Sequence, residues 1–406
     1  MIRKSMIRFA LGCALGSLAI ASLAWAGPEW TFGQDNQGTL KFEYKGQFQA
    51  LARDDGSGAA NERNTFNFNF RRNRLALMGT YGEKMSLYVQ TEYVEDPNVG
   101  VLSVASQDQG ANFQMLDAVV RFHLHDAFRV NVGKFKYNFS RENLEACEQP
   151  LTLDRSLFLR TPFTTTRDMG VAVWGNVWKD RLQFRADVME GRKAVSGLTA
   201  PKSNGRYSVR GHVSLLEPEN EYGYKGTYMG KRKVATFGAA YQYEPNVIYG
   251  NTATFAGVET YRGWTADAFV EYPVEGVGTL TFASAYEKID FGDAYQELLP
   301  DLDALGLNGQ KNGWYAKGAY LLPQFPLQVF GRYEKWRFAM LNNIYDQGIE
   351  WTGGGANWYV MDNRLKLTVE GSRTNFDKVG TFSGLQGDAL LSRDYSQFVG
   401  QLQVIF

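Results

Sequence analysis

The chain has 406 residues, with 43 Lys plus Arg against 43 Asp plus Glu, 44% apolar residues and 14% aromatics. Balanced charge gives no case for nucleic acid. The aromatic content, with only 11 Pro and no long polar linker, excludes collagen and disorder and allows one large folded unit.

Two Cys and three His, without CxxC, CxxCH or HExxH spacing, offer no metal or haem site and call for no cofactor. Residues 1–26 read as an export signal. Arg3, Lys4 and Arg8 precede an apolar run from Phe9 to Leu23, and Ala24-Trp25-Ala26 is a small-x-small cleavage site before Gly27. The run is shorter than the roughly 20 residues a membrane-anchoring helix requires. Lipid attachment at Cys13 is disfavoured because only Phe9 to Gly12 precede it as apolar sequence. The expected mature chain, 27–406, is a single domain with 40 Lys plus Arg against 43 acids. It keeps one thiol, Cys147, so no internal disulfide is available.

From there the chain alternates with period two between polar or Gly-rich turns. In TLKFEYKGQFQA (39–50), Leu40, Phe42, Tyr44, Phe48 and Ala50 share one face, while Lys41, Glu43, Lys45, Gln47 and Gln49 share the other. The pattern recurs in FRRNRLALMG (70–79), MSLYVQTEY (85–93), DAVVRFHL (117–124), FRVNVGKF (128–135), GVAVWGNV (170–177), RLQFRADV (181–188) and RYSVRGHVSL (206–215). It continues in TFGAAYQY (236–243), WTADAFVEY (264–272), TLTFASAYE (279–287), GWYAKGAY (313–320), PLQVFGRYE (326–334), GIEWTGGGANWY (348–359), RLKLTVEGS (364–372) and SQFVGQLQVIF (396–406). Sixteen such segments, with aromatic pairs such as Tyr241 and Tyr243 or Trp358 and Tyr359 at their ends, predict an all-β transmembrane antiparallel barrel of about 16 strands in a Gram-negative outer membrane.

In the terminal segment Phe398, Gly400, Leu402, Val404 and Phe406 lie in one phase and the chain ends on the aromatic, as in outer-membrane proteins handed to the barrel assembly machinery. Lipid leaves no backbone group unpaired, so this strand should close against the first, near Thr39 to Ala52.

The water-facing phase supplies Lys41, Lys45, Arg72, Arg74, Arg121, Arg129, Arg185, Arg206, Arg210, Lys317, Arg332 and Lys366. Against them stand Glu43, Glu92, Asp117, Asp187, Asp267, Glu271, Glu287, Glu334, Glu350 and Glu370. The totals nearly balance, so local clusters must decide ion selectivity. Guanidinium groups bind oxyanions through paired N–H donors, which singles out Arg72 with Arg74, and Arg185 with Arg206 and Arg210. Arg71 falls in the lipid phase. It must lie beyond the hydrocarbon, reach a subunit contact or follow a bulge, and the phase of Phe66, Phe68 and Phe70 points to irregularity there. Lys134 and Lys136 read as rim residues.

Three stretches resemble the phosphate-selective porin family: KFEYKGQFQALARDD followed by FNFRRNRLALMGTYGEKMSLYVQTEY, then VNVGKFKYNFSREN, then LDRSLF followed by TTTRDMGVAVWG. The resemblance implies a sixteen-stranded barrel, a homotrimer, an inward-folded third loop and basic residues along the channel. Tyr137 to Thr166 is the corresponding segment here. Its Arg141, Arg155 and Arg160 are interleaved with Glu142, Glu145, Glu148 and Asp154, so the expected preference for anions such as phosphate is modest. The expectation is a passive porin in contact with outer-membrane lipid and lipopolysaccharide, with no catalytic residues. A barrel sheathing a partner in an outer-membrane conduit, or an outer-membrane hydrolase, are the alternatives. No G-x-S-x-G elbow supports the latter.

Overall fold

The structure, a computed structural model, describes residues 27–54, 64–93, 113–156, 161–163, 166–193, 201, 204–339, 347–378, 380–383 and 389–406. The expected export signal, 1–26, and Arg160 lie outside the described residues.

The chain forms strands β1 (Glu29–Phe32), β2 (Gly38–Arg53), β3 (Thr65–Tyr81), β4 (Met85–Tyr93), β5 (Phe113–His125), β6 (Phe128–Phe135), β7 (Asp168–Val177), β8 (Leu182–Met189) and β9 (Arg206–Ser214). There follow β10 (Val234–Asn251), β11 (Ala256–Val274), β12 (Gly278–Asp290), β13 (Lys311–Leu321), β14 (Leu327–Phe338), β15 (Gln347–Asn363), β16 (Leu365–Phe376), β17 (Gly380–Ser383), β18 (Ala389–Ser392) and β19 (Tyr395–Ile405). Each of β2 to β15 pairs antiparallel with the next. Strand β16 pairs with β19, and β19 returns to β2 from Gln397 opposite Arg53 to Ile405 opposite Lys45. The result is a closed barrel of sixteen strands, which leaves no sheet edge to satisfy in lipid. Every one of the sixteen alternating segments coincides with a barrel strand. Strand β1, laid against the start of β2, and the hairpin β17–β18 are additions outside the ring.

The two phases separate as the alternation predicts. On β19 Phe398 is 57% exposed and Leu402 38%, whereas Gln401 and Gln403 are buried. Apolar side chains face the bilayer and polar ones the interior, the inverse of a water-soluble core.

Two strands depart from simple alternation. Pairing between β2 and β3 slips between Gln47 opposite Arg72 and Phe48 opposite Phe70, which makes Arg71 the extra residue of a β-bulge. The slip turns Phe66, Phe68 and Phe70 onto the outer face, where Phe68 and Phe70 pack with Phe48 and Phe66 packs with Phe68. On β15, Glu350 does not face the interior as its phase suggested: Ile349 and Trp351 are buried inward, and Glu350 pairs outside with Lys335 at 2.6 Å. Gly353, Gly354 and Gly355 contribute no side chains that would fix the phase of this strand from sequence.

Connections at one end are tight, such as 82–84, 126–127 and 275–277, and those at the other end are longer, such as 136–167 and 291–310. In membrane barrels the tight-turn end is periplasmic. Connection 215–233 lies at that end and is long.

Candidate functional site

The segment after β6 is polar yet largely buried, and its bonds run to strands far around the ring. It opens with a one-turn helix, α1 (Arg141–Leu144), capped by Ser140 Oγ accepting from the Asn143 N–H at 3.2 Å. Beyond it, Gln47 of β2 donates to the Cys147 carbonyl at 3.4 Å and Gln403 of β19 to the Glu148 carbonyl at 3.0 Å. Asn357 of β15 donates to the Leu151 carbonyl at 3.0 Å, and the Leu153 N–H donates to Glu370 of β16 at 3.1 Å. Lys317 of β13 bonds Glu142 at 2.5 Å, and Ser156 Oγ donates to Glu334 of β14 at 2.5 Å.

The bulge on β3 decides where the first arginine cluster points. Arg71 Nη2 lies 2.7 Å and Arg72 Nη2 2.8 Å from the two oxygens of Asp154, and Arg72 also bonds Gln47. Burial opposes the Asp154 charge, but Arg71, Arg72 and Arg155 outweigh it and hold the carboxyl well below its usual range. Arg74 bonds Glu92 at 2.7 Å and approaches Glu148 at 3.8 Å. Lys45 sits 3.0 Å from Glu43 and 3.5 Å from Glu148, and Lys41 reaches Glu43 at 3.9 Å.

Arginines of the second cluster are spent differently. Arg206 pairs with Glu244 at 2.8 Å, and Arg210 grips Asp267 with two N–H groups at 2.7 and 2.9 Å. Arg185 is just as buried but, among the described residues, meets no carboxylate. It bonds Gln183, lies over the rings of Tyr222 and Tyr224, and leaves Nη1 without a partner. Arg129 stacks on Trp174 and bonds Asp126 at 2.9 Å. Arg155 donates to the carbonyls of Glu142 and Asn143. Arg141 pairs with Glu219. The structure thus brings Lys45, Arg72 and Arg74 together with the segment after β6, and holds Arg185 and Arg210 against connection 215–233.

At the root of the segment lies a cavity of about 340 Å³. Its lining includes five cations, Lys45, Arg74, Arg121, Lys136 and Arg167, against the carboxylates of Asp117, Glu148 and Glu221. Arg167 is neutralised by Asp117 at 3.0 Å. Arg121 packs on Tyr88 and, among the described residues, has no carboxylate partner; its Nε is buried without a bond. Lys136 turns inward, unlike Lys134, and donates to the Glu145 carbonyl at 2.5 Å, with Cys147 Sγ at 4.0 Å. Burial and the repulsion of Arg155 and Arg167 push its pKa down to about 7, against the pull of Cys147. Burial would hold the Cys147 thiol neutral, but Arg155, Lys136, Arg74 and Arg72 together lower its pKa well below the usual range. Glu145 shifts the opposite way, raised by burial and the neighbouring Glu142 charge.

Sequence reading missed Lys136 and Arg167 as lining residues, and all of connection 215–233. The first two lie just outside strands, where alternation gives no direction, and the connection has no period to read. Among the described residues no cluster of His, Cys, Asp and Glu could hold a metal ion.

Residues 42–378 match the sequence model of a family described as phosphate-selective porin O and P. No curated protein sequence matches the chain. Among solved structures, the anion-selective porin from Comamonas acidovorans superposes with a TM-score of 0.55 at 11% identity, covering 91% of this chain and 100% of that one. Salmonella typhi OmpF, in a complex with daunomycin, gives 0.58 at 11% identity, covering 93% and 100%. Pseudomonas putida OprB gives 0.57 at 10% identity, covering 90% and 94%. At these identities the likeness is one of fold.

Proposed function

This chain belongs to the phosphate-selective porin O and P family and is an outer-membrane β-barrel channel, and we propose that it passes small solutes without catalysis, with a modest preference for anions, phosphate among them. The segment 136–167 is, on this reading, folded into the lumen as the constriction, which its bonds to β2, β13, β14, β15, β16 and β19 support. The cation-rich cavity at its root carries the anion assignment, since Arg121 brings charge there that no carboxylate bond cancels and Lys136 adds to it as it protonates.

An anion passing one such charge at about 7 Å gains about 2 kcal/mol at an effective dielectric of 20, before screening with a Debye length of about 8 Å. Paired acids such as Glu92 and Glu148 remove much of that gain for Arg72 and Arg74, so the preference is modest. The residues proposed to set it are Lys41, Lys45, Arg72, Arg74, Arg121 and Arg129 on β2 to β6, with Arg185, Arg206 and Arg210 on β8 and β9 and Arg141 and Arg155 in the constriction; Arg160, expected with them, lies outside the described residues.

The working form is a homotrimer, inserted by the barrel assembly machinery after removal of residues 1–26, with its outer face against lipid and lipopolysaccharide. Replacing Arg121 by Gln should lower the anion-to-cation permeability ratio in a planar bilayer while leaving the barrel assembled. An unchanged ratio would count against the cavity as the selectivity site.

A further inference from the structure

Connection 215–233 starts at the tight-turn end of the barrel, yet Glu219, Tyr224, Thr227 and Tyr228 on it are buried. It meets the segment after β6 along its length. Glu145 and Tyr224 form a parallel bridge, the Ala146 N–H donates to the Tyr224 carbonyl at 3.1 Å, and the Gly226 N–H donates to the Gln149 carbonyl at 2.9 Å.

Beside this backbone junction the Arg141 guanidinium donates through both terminal nitrogens to both oxygens of Glu219, each at 2.7 Å. The guanidinium lies over the rings of Phe269 and Tyr224, at 4.0 and 4.5 Å. Tyr228 Oη donates to the same carboxylate at 2.6 Å. Gly226 makes the approach possible: a Cβ there would lie 2.5 Å from the Leu151 nitrogen and 2.7 Å from the Gln149 carbonyl oxygen.

We propose that connection 215–233 is a second constriction element, which holds the 141–151 stretch from the periplasmic end and thereby sets the channel's aperture, with Glu219 as the positioning residue. This rests on the reading of segment 136–167 as the constriction. A fork-to-fork ion pair is a strong and directional link, and losing one partner leaves the other charge buried and uncompensated. Arg141 can then regain hydration only if its stretch of the segment moves. The other ties stay intact: Lys317 to Glu142, Gln47 and Gln403 to the Cys147 and Glu148 carbonyls, Asn357 to the Leu151 carbonyl, and Asp154 to Arg71 and Arg72. The motion is therefore a local one, centred on the turn that carries Arg141, while the rest of the segment stays seated.

Single-channel recording in planar bilayers tests this with wild type, Glu219→Gln, Gly226→Ala, the double variant Arg141→Gln with Glu219→Gln, and Glu350→Gln as a control on the outer face. Wild type should show one stable conductance level. Glu219→Gln and Gly226→Ala should lose that single level and gain larger, flickering ones, with the control unchanged. The double variant should flicker no more than Glu219→Gln alone, because both changes break one link. If Glu219→Gln does not assemble, Gly226→Ala decides, since it keeps the ion pair and only forces the two backbones apart. Assembled variants with the wild-type level would overturn the proposal. Failure of both variants to assemble would make the connection a folding element and overturn it too. A wild-type protein that conducts nothing would contradict the channel reading instead.

Discussion

Arg72 donates to Asp154 Oδ1 at 2.8 Å, across 82 residues of sequence, and this bond ties strand β3 to the segment that follows β6. Its neighbour Arg71 reaches the other oxygen only because the β-bulge sends two successive side chains the same way.

Replacing Asp154 by Asn should therefore both loosen the segment and release two cations. Hydrogen bonds to charged groups contribute about 1.5–3 kcal/mol, so the barrel should unfold at lower temperature in a heat-modifiability gel. The same variant should show a higher anion-to-cation permeability ratio. A ratio that falls would mean that Asp154 is not masking the arginines.

The channel should grow more anion-selective as pH falls through about 7. Lys136 is held down to about 7, so it gains positive charge in that window, and Glu145, whose pKa is raised, loses negative charge over the same direction of change. The two effects add. Lys136→Met should flatten the pH dependence of the zero-current potential, and a selectivity that drifts toward cations on acidification would contradict the assignment.

Assembly should depend on Phe406. Its backbone N–H donates to the Tyr44 carbonyl at 3.1 Å, and its ring lies 5.2 Å from that of Tyr44, so the last residue completes the closure onto β2. Deleting it should reduce the yield of heat-modifiable barrel in outer membranes at low expression. Unchanged yield would separate closure from the terminal aromatic.

The sixteen strands were legible because a barrel in lipid imposes period two on each of them, and Phe398 with Leu402 against Gln401 with Gln403 shows how cleanly the rule reads. The phase of β15 was not, since three consecutive glycines leave neither face marked just where Glu350 needs a reference. Arg71 was legible as an anomaly, and one of the three explanations offered for it, the bulge, is the one found. Which charge neutralises which was out of reach: Arg141 and Glu219 are 78 residues apart and meet through two connections without periodicity. Alternation places a side chain on a face but says nothing about what folds against it.

The most direct test of the anion-preferring channel is the zero-current potential across a planar bilayer in a KCl gradient, for wild type and for Arg72→Glu with Arg74→Glu. Side chains two residues apart on one strand stand about 7 Å apart at a rise of about 3.3 Å per residue, so the double change reverses two neighbouring lumen charges. It also leaves Glu92 without its arginine and takes one of two cations from each of Asp154 and Glu148, which keep Arg71 and Lys45. The account predicts weak anion selectivity in wild type and a shift toward cations in the double variant. A cation-selective wild type, or an assembled double variant whose potential does not move, would contradict it.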